Sequence, residues 1–255
     1  MTDIFYAIDH VLLVDDYNDP QKHRHWAKHI FISLSGKMNC IMEDEKVECE
    51  GIMLSSNVFH TIETQGPVLV YLFDETTDTA KEMEEKYLKD SLWKVIKLCD
   101  VQKIKRIWND NMSNLNDYNK VRDVYLNIHK EILKVLNLDA NKSYIEDNRI
   151  KKVLSLLQNK EEINEDIIEE IAKKVFLSKS RLSHLFKEET NITLNSFLVI
   201  MKIIKTYKYI LEGRNITEAS IQAGFNSPSH FATTNKNMFG ITTNKLKNNI
   251  RVIQM

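Results

Sequence analysis

At 255 residues the chain is long enough for two domains, each with its own core. A hydrophobic content of 43% excludes a wholly disordered chain, and the net charge of −1 does not by itself point to nucleic acid. No apolar run reaches membrane-spanning length, and MTDIFYAIDH lacks a basic region before an apolar core. Cys40, Cys49 and Cys99 form no CxxC pair, so a reducing, cytoplasmic setting with no membrane partner is expected.

Up to about residue 75, short apolar runs alternate with polar breaks: IFYAI, VLLV, HIFISL, KMNCIM and PVLVYLF. Turns are marked by Asp19-Pro20, Ser35-Gly36, Glu50-Gly51 and Gly66-Pro67. This spacing predicts a β-sandwich or barrel over residues 1–75. Four histidines, His23, His25, His29 and His60, fall within it. His23 and His25 lie two apart and so project to one face of a strand, which His60 could join from a neighbouring strand. Converging imidazoles would suit a divalent transition metal such as Zn, Ni, Cu or Fe. Equally, the four could line a pocket for an anionic effector, or could be pocket or surface residues that bind nothing.

From Asp78 to Pro228 there is no proline, and the periodicity turns helical. Between Asn119 and Leu138, Val121, Val124, Tyr125, Ile128, Ile132, Val135 and Leu136 form one stripe. That stripe packs either on its own sandwich or against a second subunit, so residues 76–142 are expected to be a helical dimerisation segment and linker. Asp139–Ser143 is the predicted linker, and a helix near Ile145–Leu157 opens the C-terminal domain, residues 143–255. From Ile171 to the end there are 13 basic and 4 acidic residues, a local excess of the kind that meets phosphate or merely solvates a surface.

The C-terminal domain carries one pattern twice. In IIEEIAKKVFLSKSRLSHLFK, Ile168, Ile171, Ala172 and Val175 form the inner face of a positioning helix. Ser178 caps a second helix, whose Leu182, Leu185 and Phe186 face inward. Lys179, Ser180, Arg181, Ser183, His184 and Lys187 are left outward, a polar and basic set suited to bases and phosphates. A long helix over Ile192–Leu211 then acts as a spacer that Gly213 ends. In NITEASIQAGFNSPSHFATTNK, Gly224 supplies the turn, Phe225 and Phe231 fill the core, and Ser227 with Pro228 starts the helix. Ser229, His230, Thr233 and Lys236 point outward. Two helix-turn-helix units on a rigid spacer suit successive segments of the DNA major groove.

AGFNSPSHFATTNKNMFGIT resembles the signature of AraC/XylS-type transcription regulators, with Gly224, Phe225, Ser227, Ser229, Phe231, Phe239 and Gly240 in the family's places. The order of motif, spacer helix and motif also resembles that family, over roughly residues 145–250. HRHWAKHIFISLSG resembles, more loosely, the first cupin motif, with His29 in the Glu slot and Gly36 in the Gly slot. Gly51 followed by His60 resembles a shortened second motif. The resemblance implies an α+β chain, with an N-terminal cupin-like β-barrel, a helical dimerisation segment and an all-α domain bearing two helix-turn-helix motifs. It implies a regulator, an activator by family habit, with double-stranded promoter or operator DNA, a small-molecule effector, RNA polymerase and a second copy as partners. It also implies base contacts by Ser180, Ser183 and His184, and by Ser229, His230 and Thr233. The alternatives are an N-terminal domain that only dimerises, or a metal-dependent cupin enzyme. With the usual Glu ligand missing and no GxSxG, Walker or dinucleotide motif, no catalytic residue is expected. Four departures stand out: Phe176 at a turn usually held by glycine, Asn235 in an apolar position, and Thr243 and Lys247 for the usual Pro and Arg.

Overall fold

The apolar runs VLLV, HIFISL and PVLVYLF become strands buried on both faces, while KMNCIM buries one face only. In the computed structural model, which describes residues 2–7, 9–16, 22–24, 27–75, 77–112, 118–138, 145–190, 192–239 and 250–254, ten strands and nine α-helices are laid out. The first eight strands are β1 (Thr2–Tyr6), β2 (His10–Asp16), β3 (Lys28–Ser33), β4 (Met38–Met42), β5 (Glu45–Cys49), β6 (Gly51–Leu54), β7 (His60–Glu63) and β8 (Pro67–Phe73). There follow α1 (Asp78–Met83), which widens into a π turn over Glu84–Leu88, then β9 (Trp93–Val95), α2 (Leu98–Met112) and α3 (Tyr118–Val135).

The larger sheet has the order β10-β1-β2-β8-β3-β6-β9, where β10 is the C-terminal strand Ile250–Gln254, and β5-β4-β7 form the smaller sheet. Along β8, Val68, Val70 and Leu72 point to the interior between the sheets, while Leu69, Tyr71 and Phe73 point to a helical layer on the other face. A strand covered on both sides has no polar face to show, which is why PVLVYLF and VLLV read as continuous apolar runs. The sheet also recruits strands from beyond residue 75: β9 pairs with β6, and β10 pairs in parallel with β1.

The stripe on α3 is used by its own fold. Val121, Tyr125, Ile128, Ile132 and Leu136 are 0–3% exposed and pack with Phe5, Leu12, Tyr71 and α2 in one cluster. The outward face of α3 is polar, with Arg122, Asp123, Asn127, Lys130, Glu131 and Lys134 exposed. Any subunit contact through α3 would therefore use that polar face and not the apolar stripe. Asp139–Ser143, the predicted linker, lies outside the described residues.

The C-terminal domain is all-helical: α4 (Asn148–Gln158), α5 (Ile167–Lys174), α6 (Lys179–Thr190), α7 (Leu194–Leu211), α8 (Ile216–Gln222) and α9 (Pro228–Phe239). It is tied to the N-terminal part at a seam. Tyr6 of β1 meets Phe197 of α7 with ring centroids 6.2 Å apart. On β10, Val252 packs toward the cluster that contains α7, and its neighbour Ile253 packs into the cluster that contains α3. This is the alternation expected of a strand set between two layers. A bidentate ion pair from Arg251 Nε and Nη2 to the Asp3 carboxylate, at 2.9 and 2.6 Å, fastens the strand. Among the described residues, no helix is long and apolar enough to cross a membrane.

Candidate nucleic-acid interface

Each helix-turn-helix unit is built by the same local rules. At the end of α5, Phe176 N–H donates to Lys173 O and Leu177 N–H to Ala172 O. At the end of α8, Gly224 N–H donates to Ile221 O and Phe225 N–H to Ser220 O. This is the Schellman pattern, whose pivot residue must take a positive φ. Gly224 does so at φ 99°, and a Cβ there would lie 2.2 Å from the Ile163 carbonyl oxygen, so only glycine fits. Phe176 does so at φ 57° although it carries a side chain, and that side chain is 92% exposed. The departure seen in the sequence is thus accommodated as a strained, unpacked turn residue.

The second helices start where their caps place them. Ser178 Oγ accepts from Arg181 N–H at 3.2 Å, and Ser227 Oγ accepts from His230 N–H at 3.0 Å. Inward, α6 buries Leu182, Leu185 and Phe186, and α9 buries Phe231, Asn235 and Met238. Asn235, at 0% exposure, accepts a hydrogen bond from the Tyr207 hydroxyl, which explains a polar residue in an apolar position. Outward, Lys179, Ser180, Arg181, His184 and Lys187 are exposed on α6, with Ser183 half-buried. On α9, Ser229, His230 and Thr233 are exposed and Lys236 is half-buried. Both polar sets therefore lie on the sides of their helices opposite the core. Thr243, Lys247 and Gly240 fall outside the described residues.

Between the units, α7 is capped by Thr193, whose Oγ1 accepts from Ser196 N–H, and is closed by Gly213 at φ 96°. It carries two lysines that do structural work. Lys202 Nζ donates to Gly224 O at 2.7 Å, and Lys205 Nζ donates to Lys160 O. Burial lowers the pKa of both.

Much of the local basic excess is similarly engaged within the chain. Lys179 pairs with Glu169 at 2.7 Å, and Arg181 reaches Glu188 at 3.4 Å. Hydrogen bonds from Lys179 and Lys173 bring Glu169 down to about 2. Exposed pairs of this kind are weak and screened by solvent, so a phosphate can displace the acid. Lys187 is exposed and makes no ion pair among the described residues. Charge counting alone would have overstated the cationic surface that the fold leaves open.

The N-terminal histidines are brought together in part. His23 and His60 form an isolated backbone bridge, and their rings lie 4.6 Å apart, while the His29 ring lies 5.0 Å from that of His60. His25 lies outside the described residues. His60 Nδ1 bonds the Val58 carbonyl at 2.9 Å, and burial, with the nearby His23, lowers its pKa to about 3. A second cluster went unforeseen in the sequence: Asp9, His10 and His129. Burial there lowers His129 well below the ordinary imidazole value, with a further contribution from His10. Burial alone would raise the Asp9 carboxyl, but the charges and hydrogen bonds of its histidine neighbours hold it below the usual carboxylate range.

Comparison with known proteins agrees with this geometry. Residues 171–249 match the Helix-turn-helix domain family. The Msm operon regulatory protein of Streptococcus mutans is 30% identical over 115 residues, which are 44% of this chain and 38% of that protein. An uncharacterized HTH-type transcriptional regulator in the cgkA 5′ region of Pseudoalteromonas carrageenovora is 32% identical over 84 residues, 33% of this chain and 50% of that protein. The chain thus spans half or less of the length of these curated relatives. Two crystal structures of ToxT from Vibrio cholerae share the fold. That from strain O395 has a TM-score of 0.50 at 14% identity, over 93% of this chain and 96% of its own. Wild-type ToxT with an unsaturated fatty acid bound has a TM-score of 0.50 at 14% identity, over 93% and 95%. Residues 171–249 thus form a helix-turn-helix domain, carried on a fold that joins it to a β-rich N-terminal domain.

Proposed function

We propose that the chain is a sequence-specific DNA-binding transcription regulator, in which α6 and α9 enter adjacent major-groove segments on one face of the duplex. The observation that carries this is the pair of capped helices whose apolar faces are buried and whose polar faces are open, joined by one continuous spacer helix. Ser180, Ser183, His184, Ser229, His230 and Thr233 are assigned to base edges, and Lys179, Arg181, Lys187 and Lys236 to phosphates. Selection of bound duplexes from a random pool tests it: two short conserved half-sites about 10–10.5 base pairs apart are expected. A pool that returns no consensus overturns it.

The N-terminal domain is proposed to sense a small molecule, to pair two copies of the chain and to remain non-catalytic, with activation through RNA polymerase as the output. The seam supports coupling between the parts, since β10 continues from the second helix-turn-helix unit into the sensor's own sheet. ToxT with a bound fatty acid makes an amphipathic effector a natural probe, with His29 and His60 as buried polar groups against Phe31 in an otherwise apolar interior and His23 beside them. The rival is a domain that dimerises and senses nothing. A ligand that raises the melting temperature of the full chain by preferential native-state binding favours sensing.

A further inference from the structure

Where the turn after β1 meets α3, three side chains lie together that DNA reading does not use. Asp9 sits in that turn, His10 begins β2, and His129 comes from α3. One candidate ligand atom from each falls within 4.8 Å of the other two. His10 Nδ1 lies 2.8 Å from Asp9 Oδ1, and the His10 and His129 rings stack with centroids 3.8 Å apart and planes 8° apart. The other nitrogen of His10, Nε2, is 2.6 Å from the Tyr125 hydroxyl. His129 is 7% exposed, and its Nδ1 is buried with no hydrogen-bond partner among the described residues. Such an atom costs about 1–3 kcal/mol relative to a satisfied one, and native interiors seldom carry it without a use.

We propose that Asp9, His10 and His129 form a site for one divalent transition-metal ion of the Zn²⁺ type. Two imidazoles and one carboxylate are the borderline donor set that such ions take, with a remaining position for water or ligand. Tyr125 at the far nitrogen of His10 is the outer partner that fixes a ligating ring in place. Ligands at about 2.0–2.2 Å from a tetrahedral ion stand about 3.3 Å apart, so donors within 4.8 Å need close by at most about 1.5 Å. The stacked rings must splay to aim at a common point. Tyr125 and His129 both stand on α3, so His129 approaches the other two donors by turning its own side chain or by a shift of the helix as a whole. With the ion on His10 Nδ1, the ring carries its N–H at Nε2, toward the Tyr125 hydroxyl. Protons compete with the ion for these ligands, so binding weakens as pH falls.

The position gives the site a consequence. Phe5 stacks on Tyr125 with centroids 4.4 Å apart and is the register partner of Ile253 on β10. An ion that clamps α3 to the β1–β2 turn therefore acts two side chains away from the strand that fastens the DNA-binding domain. The cluster is distinct from His23, His29 and His60, which face the interior between the sheets.

The test is a titration of the full-length, untagged chain with Co²⁺ alone, read by its visible absorption, followed by competition with Zn²⁺. One ion per chain and a higher melting temperature are expected. His129→Phe keeps a stacked ring but removes the ligand, and Asp9→Asn removes the carboxylate. Each should weaken Co²⁺ binding by more than about 100-fold, beyond the usual loss of an outer partner, while far-UV circular dichroism remains that of the parent. His60→Asn should leave the affinity unchanged. Failure of the unsubstituted chain to saturate at one ion, undiminished binding by folded His129→Phe, or loss of binding in His60→Asn would each overturn the proposal.

Discussion

Gly224→Ala probes the turn on which the second helix-turn-helix unit depends. The residue sits at φ 99°, where an L side chain costs about 1–2 kcal/mol. The added Cβ would also meet the Ile163 carbonyl oxygen at 2.2 Å, a backbone atom that cannot rotate away. Forcing that strand of chain outward costs about 1–3 kcal/mol, as other overpacking does. Against this, alanine restricts the unfolded chain and returns about 0.4–1 kcal/mol. The net expectation is a loss of about 2–4 kcal/mol, seen as a fall of several degrees in melting temperature by far-UV circular dichroism. Phe176→Gly is the reverse experiment at the equivalent turn. Its side chain is 92% exposed and packs little, so relief of the left-handed conformation outweighs the flexibility of glycine by about 0.5–1 kcal/mol. A melting temperature unmoved by Gly224→Ala, or lowered by Phe176→Gly, would refute the assignment of both residues as matched turn pivots.

Other outcomes follow from the same coordinates. Asn235→Leu removes the carbonyl that accepts from the buried Tyr207 hydroxyl and should cost about 1 kcal/mol in urea unfolding, the worth of one such bond, whereas adding Tyr207→Phe should cost little more. His60 is held neutral in the fold, with its pKa lowered to about 3, but takes a proton below about pH 6.5 when unfolded. Its contribution to stability is therefore full above pH 6.5 and is lost as pH falls toward 3, at about 1.4 kcal/mol per pH unit; His60→Asn should flatten that slope in acid-unfolding curves. Lys187→Ala should weaken binding to all duplexes and reduce the salt slope by about 0.9 for the lost phosphate, while His184→Ala should change preference at particular base pairs. Arg251→Ala leaves Asp3 without its bidentate partner, and proteolysis should then release residues 250–254 from the sheet more readily.

Much of the C-terminal domain was legible because its signals are local. Caps at Ser178 and Ser227, terminators at Gly213 and Gly224, and the period of Leu182, Leu185 and Phe186 each involve a few neighbouring residues. The predicted spacer began at Ile192 and the observed helix begins at Leu194, a difference set by the Thr193 cap. Non-local pairing was not legible. Nothing in the residues Ile250–Gln254 announces that their partner is Thr2–Tyr6, almost a whole chain away. The α3 stripe was legible as a stripe but not as to its partner, because an apolar face does not say whether a sheet or a second subunit will cover it. His129 was passed over for the same reason: one residue beyond Ile128 and four beyond Tyr125, it reads as part of a core-facing turn until His10 is placed against it. His23, His29 and His60 lie near one another because strand pairing brings them together, but their burial, which determines charge, depends on both sheets. The charge excess was visible, yet the acids that pair with Lys179 and Arg181 come from the preceding helix α5 and from further along α6 itself.

Hydroxyl-radical footprinting of the full chain on a selected duplex, repeated with Lys187→Ala together with His184→Ala on α6 and with His230→Ala together with Thr233→Ala on α9, tests most directly whether both helices read one duplex. Two protected patches on one face of the DNA, about one helical turn apart, are expected, with each double variant erasing its own patch first. A single patch, or two patches that fade together whichever helix is altered, would contradict the claim that both helices read the same duplex.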